Sequence, residues 1–466
     1  MSIPPRSGRL ALIPGSSIVH AILDDAARRS RAYLAGLDKR AVAPSQAAVA
    51  ALRELDAPLP EAPTDPAETL ALLDRVVSPA TLASAGPRFF GFVIGGALPC
   101  ALAANWLAGA WDQNAGLYRA MPGVSHLEVV ALRWLVDLFG LPEGTGGAFV
   151  TGATVANFTA LAAARNAVLA RVGWNVEADG LFGAPPITVM TGDEAHPTLL
   201  KSLGMLGLGR ARIVRVPVDS QGRMRAAALP AIRGPTVLCL QAGNVNTGAF
   251  DPFAALIEPA RAAGAWVHVD GAFGLWAKAS PALRPLAQGL EHADSWATDA
   301  HKWLNVPYDS GLAFVRDANT LKAAMAITAE YLPTEGAERN PSDFTPELSR
   351  RARGVEVWAA LHSLGRAGLS DLFDSNCRQA RRFATGLQEA GFEVLNEVVL
   401  NQVLVAFGDP ERTRQVIAAI QEEGTCWCGA TVWQGRTAMR ISVSSWATTD
   451  ADVEKSLAAI LKLAAP

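Results

Sequence analysis

Hydrophobic and polar residues follow three different patterns along the chain. Residues 18–37, "IVHAILDDAARRSRAYLAGL", repeat apolar positions with the spacing of an amphipathic helix. A proline-rich connector, "DAPLPEAPTDPAE", follows at residues 56–68. The pattern predicts a helical N-terminal arm over residues 1–85.

From about residue 145 the pattern changes to short apolar or β-branched runs, each followed by turn residues and a helical stretch. Such alternation predicts an α/β fold, in which a mainly parallel sheet is covered by helices on both faces. Ligands of these sheets bind at the carboxyl ends of the strands. The predicted strands are "GAFV", "ITVM", "IVRVPV", "TVLCL", "WVHVD", "SWAT" and "GLAFV".

A third pattern begins near residue 355. A helix, "GVEVWAALHSLGRAG", leads to the runs "GFEVL", "QVLVAF" and "TAMRISVSS", which helices separate. We therefore predict a large domain over residues 86–355 and a small α+β domain over residues 356–466.

Composition narrows the class of protein. Half of the 466 residues are hydrophobic and 18% are charged, which is typical of an ordered globular protein. A net charge of −3 gives no electrostatic reason to expect nucleic acid or an anionic membrane as a partner. No secretion signal or run of about 18 apolar residues occurs, so we expect a cytoplasmic protein. Five scattered cysteines support neither a disulfide framework nor a metal site.

Candidate chemistry lies where the predicted strands end. The turn Thr151 to Thr154 leads from a strand into a long helix, so backbone N–H groups and hydroxyls surround a helix N-terminus. Such a turn binds phosphate, although ordinary helix capping explains it too. His196 follows the next strand, where it would cap a helix or stack on a planar cofactor. Asp270 closes the strand "WVHVD", where a buried carboxylate needs a proton or a cation, unless it only forms a turn.

Lys302 completes the set. Only seven of the 41 basic residues are lysines, and an amine, unlike a guanidinium, can attack a carbonyl. Desolvation at the end of a buried strand favours the neutral, nucleophilic amine. The alternative is a surface lysine lying beside Trp303.

Together these residues describe one cofactor, pyridoxal 5′-phosphate. Its phosphate would bind the turn formed by Gly152, Ala153 and Thr154. Its ring nitrogen would face Asp270, its ring would stack on His196, and its aldehyde would form a Schiff base with Lys302.

The chain resembles the pyridoxal-phosphate-dependent group II amino-acid decarboxylases, including the aromatic-L-amino-acid decarboxylases. The segments that carry the resemblance are "DAHKWLNVPYDSG", "VHVDGAFG", "GNVNTGAFDP" and "HLEVVALRWLVDLFGLP". The resemblance implies a fold of the aspartate aminotransferase type (fold type I) with a seven-stranded sheet. It also implies decarboxylation of an L-amino acid to an amine and CO2 in a homodimer whose sites lie at the subunit interface.

Residue roles follow from the same resemblance. It assigns Lys302, Asp270 and His196 to catalysis and cofactor binding, and Ala272 to a contact under the ring. Asn244 and His301 match positions that line the cofactor or the substrate.

The substrate pocket is predicted from the segment "GPRFFGFVIGGALP" and from Trp111. Apolar walls favour an aromatic or large hydrophobic substrate, although these rings fit a hydrophobic core equally well. Polar residues of "DQNAGLY" leave room for a polar substrate. The predicted pocket residues are Phe89, Phe90, Phe92, Trp111, Tyr331 and Phe344.

Two departures from the family pattern stand out. Asp299 and Ala300 replace an Asn-Pro pair, and since a carboxylate is unfavourable near a phosphate, we expect Asp299 to point elsewhere. Phe344 is the best match to the loop tyrosine that protonates the carbanion in relatives. Without that acid the carbanion could react with oxygen to give an aldehyde, unless Tyr331 or His196 supplies the proton.

Other functions remain open on the sequence. An aminotransferase, or a carbon–carbon lyase such as those acting on phosphorylated sphingoid bases, is an alternative on the same fold. An aminotransferase would use Arg440 to bind the α-carboxylate, whereas in a decarboxylase we expect Arg440 to be structural. A non-catalytic binding protein is a further alternative, against which the joint presence of Lys302, Asp270 and His196 argues.

Overall fold

The computed structural model describes residues 16–327 and 338–465, and two β-sheets organise its fold. The larger sheet has seven strands in the order β1-β7-β6-β5-β4-β2-β3. Strand β7 runs antiparallel to both neighbours, and the remaining pairs are parallel. The strands are β1 (Gly146–Val150), β2 (Thr188–Gly192), β3 (Val214–Val216), β4 (Thr236–Gln241), β5 (Trp266–Asp270), β6 (Ser295–Asp299) and β7 (Gly311–Val315). All seven predicted strands are confirmed.

Both faces of this sheet are covered. Along β7, Leu312 and Phe314 pack into one hydrophobic cluster, whereas Ala313 and Val315 pack into another. Since successive side chains of a strand point to opposite faces, the two clusters lie on opposite sides of the sheet. Burial on both sides explains why the central strands are mostly apolar runs, whereas β3 at the edge of the sheet carries the exposed Arg215.

Helices make up most of the remaining structure. They are α1 (Ser16–Ala35), α2 (Gln46–Ala51), α3 (Pro66–Ala80), α4 (Pro99–Trp111), α5 (Pro122–Phe139), α6 (Ala153–Ala170), α7 (Val176–Asp179), α8 (Pro197–Met205), α9 (Phe253–Ala262), α10 (Ala318–Met325), α11 (Gly354–Glu389), α12 (Pro410–Glu423) and α13 (Asp450–Ala464). The first three fall within the predicted N-terminal arm. No helix in residues 16–327 or 338–465 combines the length and the apolar character needed to span a bilayer.

The smaller sheet is antiparallel, in the order β10-β11-β9-β8. Its core also takes side chains from α11, α12 and α13. Since α11 contributes to the cores of both sheets, the predicted boundary at residue 355 falls inside the first turn of a helix that the two sheets share. The strands are β8 (Glu393–Val394), β9 (Gln402–Ala406), β10 (Gly429–Trp433) and β11 (Arg436–Ser442).

The segment 87–98 joins the smaller sheet to the end of β6. The amide of Phe90 donates to Trp427 O at 2.8 Å, and the amide of Ser442 donates to Phe90 O at 2.9 Å. Further along, a Cβ on Gly95 would lie 2.2 Å from Lys302 O. Glycine at this position therefore allows the segment to pass directly over the turn that carries Lys302.

Candidate active site

The carboxyl ends of β1, β5 and β6 meet at one edge of the larger sheet. Asp270 is the last residue of β5 and Asp299 the last of β6, with Lys302 three residues beyond it. Strand β1 has the same direction as β6, because each is antiparallel to β7 between them. The turn at Gly152 therefore lies at the same edge as both carboxylates.

Close backbone packing shapes the turn at residues 151–154, which the sequence predicts to bind phosphate and which we call the phosphate-binding turn. Helix α6 begins at Ala153, and Gly152 is its N-cap residue. A Cβ on Gly311 would lie 2.4 Å from the Gly152 Cα, and a Cβ on Gly152 would lie 3.3 Å from Asp299 Oδ1. Glycine at both positions lets β7, the turn and the end of β6 meet.

Asp299 points directly at this turn. Its Oδ1 accepts a hydrogen bond from the Ala153 amide at 2.5 Å, and the side chain is only 3% exposed. The expectation that Asp299 points elsewhere is therefore wrong. The physical reason is that the N-terminus of α6 attracts an anion, and the last side chain of β6 supplies one.

Lys302 lies beside the same carboxylate. Its Nζ is 3.1 Å from Asp299 Oδ2, and its side chain is 18% exposed. Trp303 is fully buried and donates through Nε1 to Asn376 Oδ1 at 2.9 Å. Lys302 is thus held within the site, and the alternative of a surface lysine is not supported.

Asn305 fixes the turn that carries Lys302. It adopts a left-handed conformation with φ +58°. Its Nδ2 donates to Trp303 O at 2.7 Å and to Ser444 O at 3.0 Å, while its Oδ1 accepts from the Trp446 amide at 2.9 Å. These bonds join the Lys302 turn to the segment that follows β11.

Asp270 is a buried carboxylate bound by neutral donors. Asn157 Nδ2 donates to its Oδ2 at 3.2 Å, and the Ala272 amide donates to its Oδ1 at 3.2 Å. Burial raises the pKa of Asp270, and the positive charge of Lys302 is the largest opposing influence. Among the described residues Asp270 has no ion-pair partner. A protonated ring nitrogen would supply the cation that this buried carboxylate lacks.

A chain of buried hydrogen bonds continues behind Asp270. Asn157 Oδ1 lies 2.8 Å from His268 Nε2, and His268 Nδ1 lies 2.8 Å from Ser295 Oγ. Ser295 Oγ accepts from Trp266 Nε1 at 2.8 Å. Burial lowers the pKa of His268 to about 3, so its ring is neutral. With Asn157 Nδ2 turned toward Asp270, His268 carries its hydrogen on Nε2, and Ser295 donates to Nδ1.

His196 caps helix α8. The Thr198 amide donates to its Nδ1 at 3.3 Å, and Thr198 Oγ1 lies 2.7 Å from the same atom. Burial lowers the pKa of His196 to about 4, with smaller contributions from the charges of Lys302 and Arg440. His196 is therefore a neutral imidazole in a fixed orientation, as a ring that stacks on a cofactor needs to be.

His301 lies between Asp299 and an aromatic ring. It stacks on Tyr308 with ring centroids 4.2 Å apart, and its Nδ1 accepts from the Ser310 amide at 3.1 Å. Burial lowers the pKa of His301. The hydrogen of the neutral ring is therefore on Nε2, which lies 3.5 Å from Asp299 Oδ1.

Asn244 and Ala272 each make hydrogen bonds that hold neighbouring backbone segments in place. Asn244 Oδ1 accepts from the amides of Asn246 and Thr247 at 2.8 and 3.2 Å, and its Nδ2 donates to Gln241 Oε1 at 3.1 Å. Ala272 O accepts from the Asp299 amide at 2.8 Å. Asn244 thus shapes a loop, while Ala272 joins the ends of β5 and β6.

The predicted pocket rings do not form one wall within this chain. Phe90 is buried in the core of the smaller sheet, edge-on to Phe383. Phe89 is buried and stacks on Trp427, and the 58% exposed Phe92 packs against these two rings with centroids 6.5 and 5.3 Å away, apart from Phe90. Trp111 is 45% exposed at the end of α4.

Of the two remaining residues predicted for the pocket, the structure describes only Phe344. Phe344 is 9% exposed and belongs to the hydrophobic cluster that includes residues of β1 and α6. The Arg339 guanidinium lies 4.1 Å from its ring centroid. Tyr331 lies outside the described residues.

Arg440 on β11 lies near the site. Its charge contributes to lowering the pKa of His196. Burial lowers the pKa of Arg440 to about 10, and no acidic group in the described part of the chain offsets this effect. We expected Arg440 to be structural, yet its guanidinium has no hydrogen-bond or ion-pair partner among the described residues, and it is therefore available to a ligand.

This set of groups fits pyridoxal 5′-phosphate. Lys302 offers the amine, Asp270 a carboxylate without a cationic partner, and His196 a neutral ring. A long helix begins at the phosphate-binding turn. Asp299 opposes this fit, because its carboxylate already accepts a hydrogen bond from the Ala153 amide of that turn.

Asn157, His268, Ser295, Asn305 and Tyr308 were missed from the sequence. A signal existed for His268, because in "WVHVD" it lies two positions before Asp270 and therefore on the same face of β5. Asn157 and Ser295 belong to other elements, and only the folded arrangement brings them to His268.

Comparison with known proteins gives matches over most of the chain. The model of the Pyridoxal-dependent decarboxylase conserved domain matches residues 50–408. Tryptophan decarboxylase 1 of Oryza sativa subsp. japonica is 28% identical over 417 residues, covering 81% of this chain and 80% of that protein. Aromatic-L-amino-acid decarboxylase of Bacillus atrophaeus is 30% identical over 345 residues, covering 71% of this chain and 69% of that protein.

A solved structure agrees with these matches. The crystal structure of Oryza sativa TDC with PLP and tryptamine superposes with a TM-score of 0.89 at 25% identity, covering 99% of both chains. The fold is therefore of the predicted type I class.

Proposed function

The chain belongs to the pyridoxal-dependent decarboxylase family, and on that premise we propose that it converts an aromatic or large hydrophobic L-amino acid to the amine and CO2. The observation that carries this proposal is the meeting of Lys302, Asp270 and the N-terminus of α6 at one edge of the sheet. The amine of Lys302 suits the aldehyde of the cofactor, the carboxylate of Asp270 suits its ring nitrogen, and the N-terminus of α6 suits its phosphate.

The cofactor, when bound, supplies an electron-accepting ring into which the bond to the carboxylate can release its electrons. The chain's own residues set the conditions for this. Asp270 presents a desolvated carboxylate that favours a proton on the atom facing it. Lys302 offers the amine that would bind the aldehyde, and Asp299 Oδ2 lies 3.1 Å from its Nζ and positions it.

Arg440 is the group we propose for the substrate carboxylate. It is a half-buried cation without an acidic partner among the described residues, and its charge influences the pKa of His196. A charge-assisted bond to one carboxylate would orient the amino acid in the site. A second carboxylate, as in glutamate, would need a further cation.

An aromatic side chain is supported by two observations. The relatives reported above include a tryptophan decarboxylase and an aromatic-L-amino-acid decarboxylase. Phe92 and Trp111 expose large apolar surfaces on this chain, as the wall of a pocket completed by a second subunit would.

The amine is the product that we propose. The aldehyde alternative depended on Phe344 standing in the place of a proton donor, and its ring packs in the chain's own core instead. Amine formation requires a proton at the substrate α-carbon, for which the sequence offers Tyr331 or His196. His196 is the weaker of the two donors, because a pKa of about 4 leaves its ring neutral at neutral pH, and we therefore propose Tyr331.

We also propose a homodimer in the cytoplasm. Trp106, Leu107 and Trp111 of α4 are 44%, 53% and 45% exposed, which is costly for a chain that remains a monomer. The free thiols Cys239, Cys377, Cys426 and Cys428 are buried without a disulfide, in keeping with a reducing compartment.

The test is a comparison of substrates by cofactor-loaded enzyme. We expect L-tryptophan, L-tyrosine or L-phenylalanine to give CO2 and amine with a kcat/KM at least about tenfold above that of L-glutamate. The variant Arg440→Met should raise KM for the preferred substrate while leaving cofactor content unchanged. Preference for glutamate would contradict the substrate class, and dependence on a keto acid would indicate an aminotransferase.

A further inference from the structure

The carboxylate of Asp299 occupies the position where the phosphate-binding turn offers its first amide. Its Oδ1 accepts from Ala153 N at 2.5 Å, and the Gly152 backbone passes close enough that a Cβ there would lie 3.3 Å from the same oxygen. The other oxygen, Oδ2, lies 3.1 Å from Lys302 Nζ. One carboxylate thus joins the helix N-terminus to the reactive amine.

This arrangement is complete without a cofactor. The N-terminus of α6 carries partial positive charge and Lys302 can carry a full one, so a buried anion between them is stabilised from both sides. The side chain of Asp299 is 3% exposed, and water therefore screens these interactions little.

Cofactor binding disturbs both contacts at once. A phosphate at the turn brings two negative charges to the amide that Asp299 holds, and the aldehyde takes the amine with which Asp299 pairs. Two anions in a buried site repel each other strongly, since the local dielectric constant is low.

We propose that Asp299 is an internal counter-anion that fills the phosphate-binding turn of the cofactor-free enzyme, and that the cofactor phosphate binds by displacing it. The Asp299 carboxylate weakens the contribution that the phosphate makes to the affinity for the cofactor, and it keeps the cofactor-free site ordered. The proposal concerns cofactor binding, and it holds whichever amino acid the enzyme decarboxylates.

The experiment compares two ligands that differ only in the phosphate. Dissociation constants of pyridoxal 5′-phosphate and of pyridoxal are measured on cofactor-free enzyme by quenching of tryptophan fluorescence. The ratio of the two constants isolates what the phosphate contributes, because both ligands carry the same ring and aldehyde. Any effect on the reactivity of Lys302 alters both constants and cancels in the ratio.

Asp299→Asn should strengthen the phosphate contribution, raising the ratio of the pyridoxal constant to the pyridoxal 5′-phosphate constant by at least about tenfold. Asp299→Ser should change it in the same direction, which guards against poor folding of one variant. The matched control is Asp294→Asn, which removes a buried carboxylate just before β6, at the opposite end of the strand. Its ratio should equal that of the wild type.

Inorganic phosphate provides a second readout that needs no aldehyde. It should compete with pyridoxal 5′-phosphate at lower concentrations in Asp299→Asn than in the wild type. An unchanged or lowered ratio in both Asp299 variants would overturn the proposal. Phosphate competition that is equal in the wild type and in both Asp299 variants would overturn it too. If the binding results are as expected but the cofactor-loaded wild type releases no CO2 from any amino acid, the proposed function fails and the present proposal stands.

Discussion

At the scale of single residues, a hydrogen-bond chain lies behind Asp270 and fixes the position of the carboxylate that we propose to face the cofactor ring. Each link has one direction, from Trp266 through Ser295 and His268 to Asn157. Because burial keeps His268 neutral, the chain holds no competing charge. Asn157 is thereby obliged to turn its amide hydrogens toward Asp270.

Replacing Asn157 with aspartate tests this chain. A second carboxylate next to Asp270 would either repel it or share a proton with it, and the hydrogen bond from Asn157 Nδ2 would be lost, so the position or the charge of the Asp270 carboxylate would change. We expect Asn157→Asp to lower kcat by more than about tenfold and to change the visible spectrum of the bound cofactor. Asn166→Asp on the same helix should leave both unchanged, and wild-type behaviour of Asn157→Asp would contradict the assigned role.

His196 leads to a prediction about pH. With a pKa lowered to about 4, chiefly by burial, the ring gains a proton only well below neutral pH. The profile of kcat/KM between about pH 5 and 8 should therefore contain no limb that belongs to His196. His196→Gln should lower kcat without shifting the limbs of the profile. A limb near the ordinary histidine pKa that disappears in His196→Gln would contradict this account.

The site was partly predictable from the sequence. Lys302, Asp270 and His196 follow strands that the pattern identifies, and the rule that ligands bind at strand ends brings them together. The direction of Asp299 was predicted wrongly, because the prediction considered the repulsion between its carboxylate and a phosphate but not the attraction of the α6 N-terminus for that carboxylate.

At the scale of secondary structure elements, the site depends on how closely β7 approaches the turn before α6. A side chain on Gly311 would meet the Gly152 backbone at 2.4 to 2.8 Å, and backbone atoms cannot swing aside as a flexible side chain does. Gly311 therefore sets the distance between β7 and the phosphate-binding turn.

Gly311→Ala should push the two elements apart. We expect a loss of about 1–3 kcal/mol in the free energy of unfolding, as for other overpacked sites, together with weaker cofactor binding. Thermal denaturation and cofactor titration measure the two effects. The control is Gly123→Ala in α5, where no atom lies within 4 Å of the added Cβ and stability should change by less than about 1 kcal/mol. Equal stability of the two variants would argue against the close approach.

The element pattern was predicted best where burial is most complete. Strands buried on both faces give apolar runs that few other structures produce, and all seven were recognised. The helix that begins at Gly354 was expected to continue through "GVEVWAALHSLGRAG", yet Gly365 interrupts it with φ +58°. A lone glycine in a helical pattern does not reveal such a break, because glycine also occurs within continuous helices.

At the scale of the whole molecule, the exposed apolar face of α4 predicts a partner. Leu107 is 53% exposed, and Trp106 and Trp111 lie on the same helix. In a homodimer this face would be covered, so a charge placed there should separate the subunits.

Leu107→Glu should shift the enzyme toward the 49.0 kDa monomer and lower its activity, whereas the wild type should have twice that mass. Light scattering after size exclusion measures the mass directly. Phe182 is 99% exposed and lies far along the chain from α4, so Phe182→Glu serves as the control and should remain dimeric. A monomeric, fully active wild type would refute the dimer.

The central claim is that this chain decarboxylates an amino acid through Lys302. The most direct measurement counts CO2 and amine released from carboxyl-labelled aromatic L-amino acids by cofactor-loaded wild type and by Lys302→Ala. We predict one amine for each CO2 from the wild type and a loss of at least about a thousandfold in rate from the variant. Absence of CO2 from every aromatic amino acid, or equal rates from the two proteins, would contradict the claim.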